Sequence, residues 1–241
     1  MKHASFGRTG EMKQKIKLLA IMVTLVMASL GMAVYTANTI DSAPHPIRVA
    51  CVGDSITQGS GYPNKLQTLL GANYTVGNFG VSGSTVSLDS IKPYMNQTAF
   101  RKAEDFDPEI VVIMLGTNDA NPQIALSEDN FEADYIKLIS SFEELEGNPL
   151  VWVVKSPPIF SVDSTYNNTY LADTVLPHIE NIANWLDLPS VDMYSAFGNH
   201  SDYFMDGVHP NADGATLIAS NVYDAITLNS YSLDDNLAYG P

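Results

Sequence analysis

IRVACVGDSIT, residues 47–57, is the stretch from which the fold is read. Five of the six residues from Ile47 to Val52 are apolar and the run stops at Gly53, the signature of a short strand buried on both faces. Gly53-Asp54-Ser55 is turn and helix-start chemistry, so the segment reads as a strand running straight into a helix. The same grammar recurs down the chain. Apolar runs at Tyr74–Phe79, Ile110–Leu115, Leu150–Val154 and Ser190–Met193 read as four further strands. Helical patterns separate them at Tyr62–Leu70, Asp129–Leu145, Ala172–Leu186 and Ala212–Ile226. In the second of these, Phe131, Tyr135, Leu138 and Phe142 fall at spacings of three and four. Alternating strands and helices predict an α/β fold with about five parallel strands, right-handed crossovers and helices on both faces.

Sheets of that kind bind ligands beyond the carboxyl ends of their strands, near a switch in strand order. Four short segments fall where that rule puts chemistry. Strand one leads into Gly53-Asp54-Ser55-Ile56-Thr57, strand two into Gly80-Val81-Ser82-Gly83 and strand three into Gly116-Thr117-Asn118-Asp119. Asp206-Gly207-Val208-His209-Pro210 precedes the last helix. Ser55, at a helix N-terminus, is a candidate nucleophile or simply a helix N-cap. A serine nucleophile needs a base. His3, His45, His178 and His200 lie in the terminal segment, a linker, a helix and a polar loop; His209 alone has an acid, Asp206, three residues away to orient it. Asp206 and His209 can also be read as a metal-ligand pair, but that reading lacks further ligands. A backbone N–H at Gly80 and the side-chain amide of Asn118 are candidate donors to an oxyanion, with the Ser55 N–H as a third; singly, each is ordinary turn chemistry.

Taken together, GDSIT (53–57), GVSG (80–83), GTND (116–119) and DGVHP (206–210) resemble the four ordered blocks of the SGNH, or GDSL-type, hydrolases. The resemblance implies a flavodoxin-like three-layer α/β/α sandwich and ester hydrolysis. It assigns Ser55 as nucleophile, His209 as base, Asp206 as its orienter, and Ser55, Gly80 and Asn118 as the oxyanion hole. It calls for no metal and no organic cofactor. The wider segments, with YP at 62–63 and NFGVSGST at 78–85, are similar to members that deacetylate carbohydrates, so removal of acetyl or short acyl esters from carbohydrates is the expected activity, with a glycan or small-molecule ester as substrate. A lysophospholipase or thioesterase acting on lipid acyl groups is the alternative enzyme, and a glycan-binding surface module without turnover the alternative of another class. Residues 59–63 and 121–122 are expected to line the mouth. Tyr62, Trp152 and Tyr203 are candidate sugar-stacking rings or, more simply, core aromatics.

Outside this domain the chain changes character. Lys13, Lys15 and Lys17 precede the apolar run LLAIMVTLVMASLGMAV, residues 18–34, which is the export pattern. Residues 1–40 therefore read as a signal peptide or an uncleaved signal anchor holding the protein at a membrane, residues 41–46 as a linker, 47–228 as one domain and 229–241 as a loosely held polar tail. Either way the domain is expected outside the cytoplasm. With 45% hydrophobic residues the chain is globular rather than disordered. Its 12 basic and 27 acidic residues give a net charge of −15, and the basic ones concentrate in the first forty positions. Such an acidic body repels phosphate backbones, so nucleic acid is excluded as a partner. The single cysteine, Cys51, excludes an internal disulfide framework.

Overall fold

The computed structural model describes residues 45–121, 128–162 and 166–237. The expected signal or anchor at 18–34, most of the linker, Pro122 at the expected mouth and the last four residues of the tail lie outside them. Among the described residues no helix is long and apolar enough to cross a membrane.

The elements of the domain alternate. β1 (Ile47–Gly53), α1 (Ser55–Gly59), α2 (Tyr62–Leu70), β2 (Tyr74–Gly80), α3 (Thr98–Asp105), β3 (Ile110–Met114), α4 (Glu128–Glu143) and β4 (Leu150–Lys155) follow in order. A π-helical segment (Leu171–Val175) then leads into α5 (Leu176–Trp185), and β5 (Ser190–Asp192), α6 (Met193–Phe197) and α7 (Ala212–Leu237) complete the fold. All four strand pairings are parallel, in the order β2-β1-β3-β4-β5. This is the flavodoxin-like order, whose switch point lies between β1 and β3.

Side-chain alternation along the strands divides the core in two. Ala50, Val52, Val111 and Ile113 point to one face, where they meet Phe100, Tyr135, Leu138, Phe142 and Ile179 from α3, α4 and α5. Val49, Cys51, Val112 and Met114 point to the other and meet Leu66, Ile218, Ala219 and Val222 from α2 and α7. Each fully buried aliphatic or aromatic side chain contributes roughly 1.5–3 kcal/mol, and both layers are continuous across the sheet. Cys51, Tyr62 and Trp152 belong to the second layer, so Tyr62 and Trp152 are core rings and not sugar platforms. Tyr203 is half-buried and stacks on His200, the ring centres 4.9 Å apart.

Three features depart from the sequence reading. β2 is an edge strand, mostly half-exposed along its length, because β1 is its one neighbour in the sheet. Two helices, α3 and α6, have no counterpart in the sequence reading: α3 buries Phe100 and Ala103 at a spacing of three, and α6, of five residues, begins at Met193, which reads as strand from sequence. The last helix continues past Ile226 to Leu237, across most of the stretch that reads as a tail. Nothing stops it: no Gly or Pro occurs between Gly214 and Gly240, and weak formers such as Ser, Asn and Asp each cost at most about 0.7 kcal/mol relative to Ala.

Register brings the strand ends together. Gly53 lies opposite Gly80 on one side and Met114 on the other, so the segments after β1, β2 and β3 leave the sheet along one rim.

Candidate active site

Ser55 is the first residue of α1, and the cap is not its own. Asp54, directly before it, accepts the Ile56 N–H at 2.9 Å and serves as N-cap. The Ser55 hydroxyl is thereby left to face the loop before α7, where it meets His209 Nε2 at 2.9 Å. That contact spans 154 positions of sequence. On the other side of the ring, His209 Nδ1 lies 2.7 Å from Asp206 Oδ2.

The spacing of three residues between Asp206 and His209 has a local cause. Asp206 Oδ1 accepts the backbone N–H of Val208 at 3.0 Å and of His209 at 2.8 Å, an Asx-type turn that curls the loop around the carboxylate. Gly207 makes the turn possible. It sits at φ +82, and a Cβ there would come within 2.5 Å of the Ser161 backbone nitrogen. Its carbonyl in turn accepts the Phe160 N–H at 2.7 Å and fastens the loop to the segment after β4. Slight burial pushes the Asp206 carboxyl up, but the His209 N–H, the imidazole and the Val208 N–H outweigh it and hold the carboxyl at about 2. Asp206 is therefore an anion at neutral pH, suited to fix the imidazole with its proton on Nδ1 and an open Nε2 toward Ser55.

Asn118 is buried beyond β3. Its Nδ2 donates to the Ser84 carbonyl at 2.9 Å and more weakly to Asp54 Oδ2 at 3.3 Å, while its Oδ1 accepts the Tyr166 hydroxyl at 3.2 Å. The amide is thus tied to the residue before Ser55 and to the turn after β2.

Gly80 requires a correction. Its N–H is not an open donor: it is given to Asn78 Oδ1 at 3.0 Å. A Cβ on Gly80 would come within 2.3 Å of Gln58 N, so the glycine lets α1 lie directly over the end of β2. Gly83, three residues on, has the open N–H. It adopts φ +76, and its N–H has no acceptor among the described residues, as is true also of the Ser55 N–H. The turn that carries it is pinned by Ser82 N–H to Gln58 Oε1 at 2.8 Å. The two glycines of the tetrapeptide thus differ in φ and in hydrogen bonding.

Two buried carboxyls also escape the sequence reading. Burial pushes Asp54 up to about 7 against the pull of the Ile56 N–H, with Asp119 adding repulsion. Burial likewise pushes Asp119 up to about 6, although its two oxygens accept the N–H groups of Val86 and Ser87 at 3.0 and 3.1 Å. Both stand inside motif blocks, where neighbouring residues attract the attention.

With the geometry in place, comparison with known proteins is informative. Residues 51–217 match the model of the GDSL-like lipase/acylhydrolase family, and the matched span contains every residue of the candidate site. The chain belongs to that family. A curated relative, an acetylxylan esterase of Xylanibacter ruminicola, is 32% identical over 219 residues, covering 78% of this chain and 46% of the relative. The chain thus spans about half the length of that relative. Among solved structures, a carbohydrate acetylesterase from Sinorhizobium meliloti superposes with a TM-score of 0.62 at 18% identity, over 76% of this chain and 99% of that one. A GDSL-like lipase from Bacteroides thetaiotaomicron gives 0.57 at 24% identity, over 80% and 95% of the two chains. At these identities the likeness establishes the shared α/β fold of GDSL esterases.

Proposed function

We propose that this GDSL esterase removes acetyl and other short acyl groups from carbohydrate hydroxyls, with Ser55 as nucleophile. The observation that carries the reading is the 2.9 Å contact between Ser55 Oγ and His209 Nε2, with Asp206 behind the ring at 2.7 Å. As Ser55 Oγ attacks the ester carbonyl, His209 Nε2 takes the hydroxyl proton and Asp206 stabilises the resulting imidazolium. The tetrahedral oxyanion accepts hydrogen bonds from the Ser55 N–H, the Gly83 N–H and Asn118 Nδ2, which exchanges its long 3.3 Å contact with Asp54 for the substrate. Collapse expels the alcohol, which receives the proton from His209 Nε2. Water, deprotonated by the same nitrogen, then releases the acid and restores Ser55.

The choice of a carbohydrate ester is supported by the acetylxylan esterase relative and by the segments around Tyr62 and Asn78. An export signal in residues 1–40 suits it too, since polymeric glycans do not cross membranes. The test is a panel of 4-nitrophenyl esters from acetyl to decanoyl, together with an acetylated xylan, assayed on wild type and Ser55→Ala. Turnover that peaks at acetyl and vanishes in a folded Ser55→Ala variant is expected. A peak above eight carbons would overturn the substrate assignment in favour of lipid acyl groups, and hydrolysis retained by Ser55→Ala would remove Ser55 as nucleophile.

A further inference from the structure

The oxyanion donors differ in how they are held. The N–H groups of Ser55 and Gly83 are fixed by the backbone, whereas the Asn118 amide is a side chain that can turn over and present Oδ1 where Nδ2 should be. An oxygen in that place repels the developing oxyanion. One face of the amide is defined by Nδ2 donating to the Ser84 carbonyl. The other depends on a residue far away in sequence, Tyr166, whose hydroxyl donates to Asn118 Oδ1 at 3.2 Å.

We infer that Tyr166 is a positioning residue for the oxyanion hole: its hydroxyl locks Asn118 in the orientation that aims Nδ2 at the reacting carbonyl. The inference rests on the oxyanion role proposed above for Asn118. The Ser84 carbonyl can only accept, so it fixes which end of the amide is Nδ2, and the Tyr166 hydroxyl then donates to Oδ1 and holds that end of the amide against rotation. The segment bearing Tyr166 is built to stay in place. The next residue, Asn167, gives its N–H to the carbonyl of Ala120, two positions beyond Asn118, at 3.4 Å. The Asn167 side chain accepts the Tyr170 N–H at 3.0 Å and caps the helical segment that follows. Asn168 Oδ1 accepts the Ile159 N–H at 2.8 Å, and its Nδ2 donates to the Tyr194 hydroxyl at 3.0 Å. Tyr166 is thus bracketed between the end of β3 and the segment after β4, and its ring brings a hydroxyl to the one atom of Asn118 that takes no part in binding the oxyanion.

The test is a double-mutant cycle on 4-nitrophenyl acetate with Tyr166→Phe, Asn118→Ala and the pair, each checked for folding by its thermal midpoint. Tyr166→Phe removes a single neutral hydrogen bond, so kcat should fall roughly three- to tenfold with KM within twofold, because the donor acts on the transition state and not on the bound ester. In the Asn118→Ala background the same substitution should change kcat by less than about twofold, as there is no amide left to orient. Equal losses in both backgrounds, or no loss in Tyr166→Phe alone, would overturn the assignment while leaving Asn118 in its role. Full activity in Asn118→Ala would instead refute the oxyanion reading on which it depends.

Discussion

Replacing Asp206 by asparagine separates what the carboxylate does for the loop from what it does for the imidazole. The side-chain oxygen that accepts the Val208 and His209 N–H groups, at 3.0 and 2.8 Å, has a counterpart in the amide, so the turn is retained. At the second position the 2.7 Å contact with His209 Nδ1 becomes an encounter between two donors. The ring escapes by moving its proton to Nε2, and an Nε2 that carries hydrogen cannot take the proton of Ser55. A charge-assisted hydrogen bond contributes about 1.5–3 kcal/mol, and a wrong tautomer in a buried Ser-His-Asp triad costs about 10⁴ in kcat. Asp206 is 56% exposed, and water screens its charge and competes for the ring, so the expected loss is smaller. A fall of roughly 10²–10³ in kcat/KM for 4-nitrophenyl acetate follows, or ~3–4 kcal/mol. The thermal midpoint should move little, because the turn survives. A folded Asp206→Asn enzyme that keeps more than a tenth of wild-type kcat/KM would refute the reasoning.

Gly80→Ala should act on stability rather than on the chemistry, since its Cβ would meet Gln58 N at 2.3 Å and Asp54 O at 2.8 Å. A loss of about 2 kcal/mol or more in urea unfolding is expected from backbone displacement, and an unchanged midpoint would contradict the close approach of α1 to β2. The pH dependence of stability carries a further signature. The Asp54 carboxyl, pushed up to about 7 from an ordinary value near 3.8, holds a proton in the folded state that the unfolded chain has released. Its contribution is complete below the unfolded value and is lost as pH rises through about 7, so the melting temperature should decline between pH 5 and pH 8. Asp54→Asn, which cannot ionise, should flatten that decline; a slope identical to wild type would show that the Asp54 carboxyl ionises alike in the folded and unfolded chain.

How much of this is legible in the sequence follows from the physics of each element. The five runs mark the strands to within one residue at either end, because strands packed between two helical layers are mostly apolar and end where Gly, Asp or Pro turns the chain. The amphipathic helices α2 and α4 show themselves through their period, whereas the five residues of α6 do not complete two turns and leave no pattern. At the site, Ser55, Asn118, Asp206 and His209 stand out because each follows a strand or precedes a helix at the same rim. Two details are invisible there. Asp54 and Ser55 are both good N-caps, and the choice of Asp54 appears only when its oxygen is found on the Ile56 N–H. Gly80 and Gly83 are equivalent as letters, and differ in that one is held against α1 and the other turns with positive φ. Tyr166 lies in an aperiodic stretch between β4 and the π-helical segment, where nothing but three-dimensional proximity connects it to Asn118.

Because Asp206 and His209 share one short turn, assembly of the proposed centre reduces to a single event: the arrival of that turn at the start of α1. Its downstream neighbour is α7, which is seated on α2 through Ile218, Ala219 and Val222, and α2 begins three residues after α1 ends. The C-terminal helix is thereby the clamp of the proposed centre, and ester hydrolysis should report on its seating before any probe of the sheet does. Gentle heating or low denaturant that lifts this helix should silence the enzyme while the parallel strands remain intact, a partial opening reversed as soon as the helix settles back.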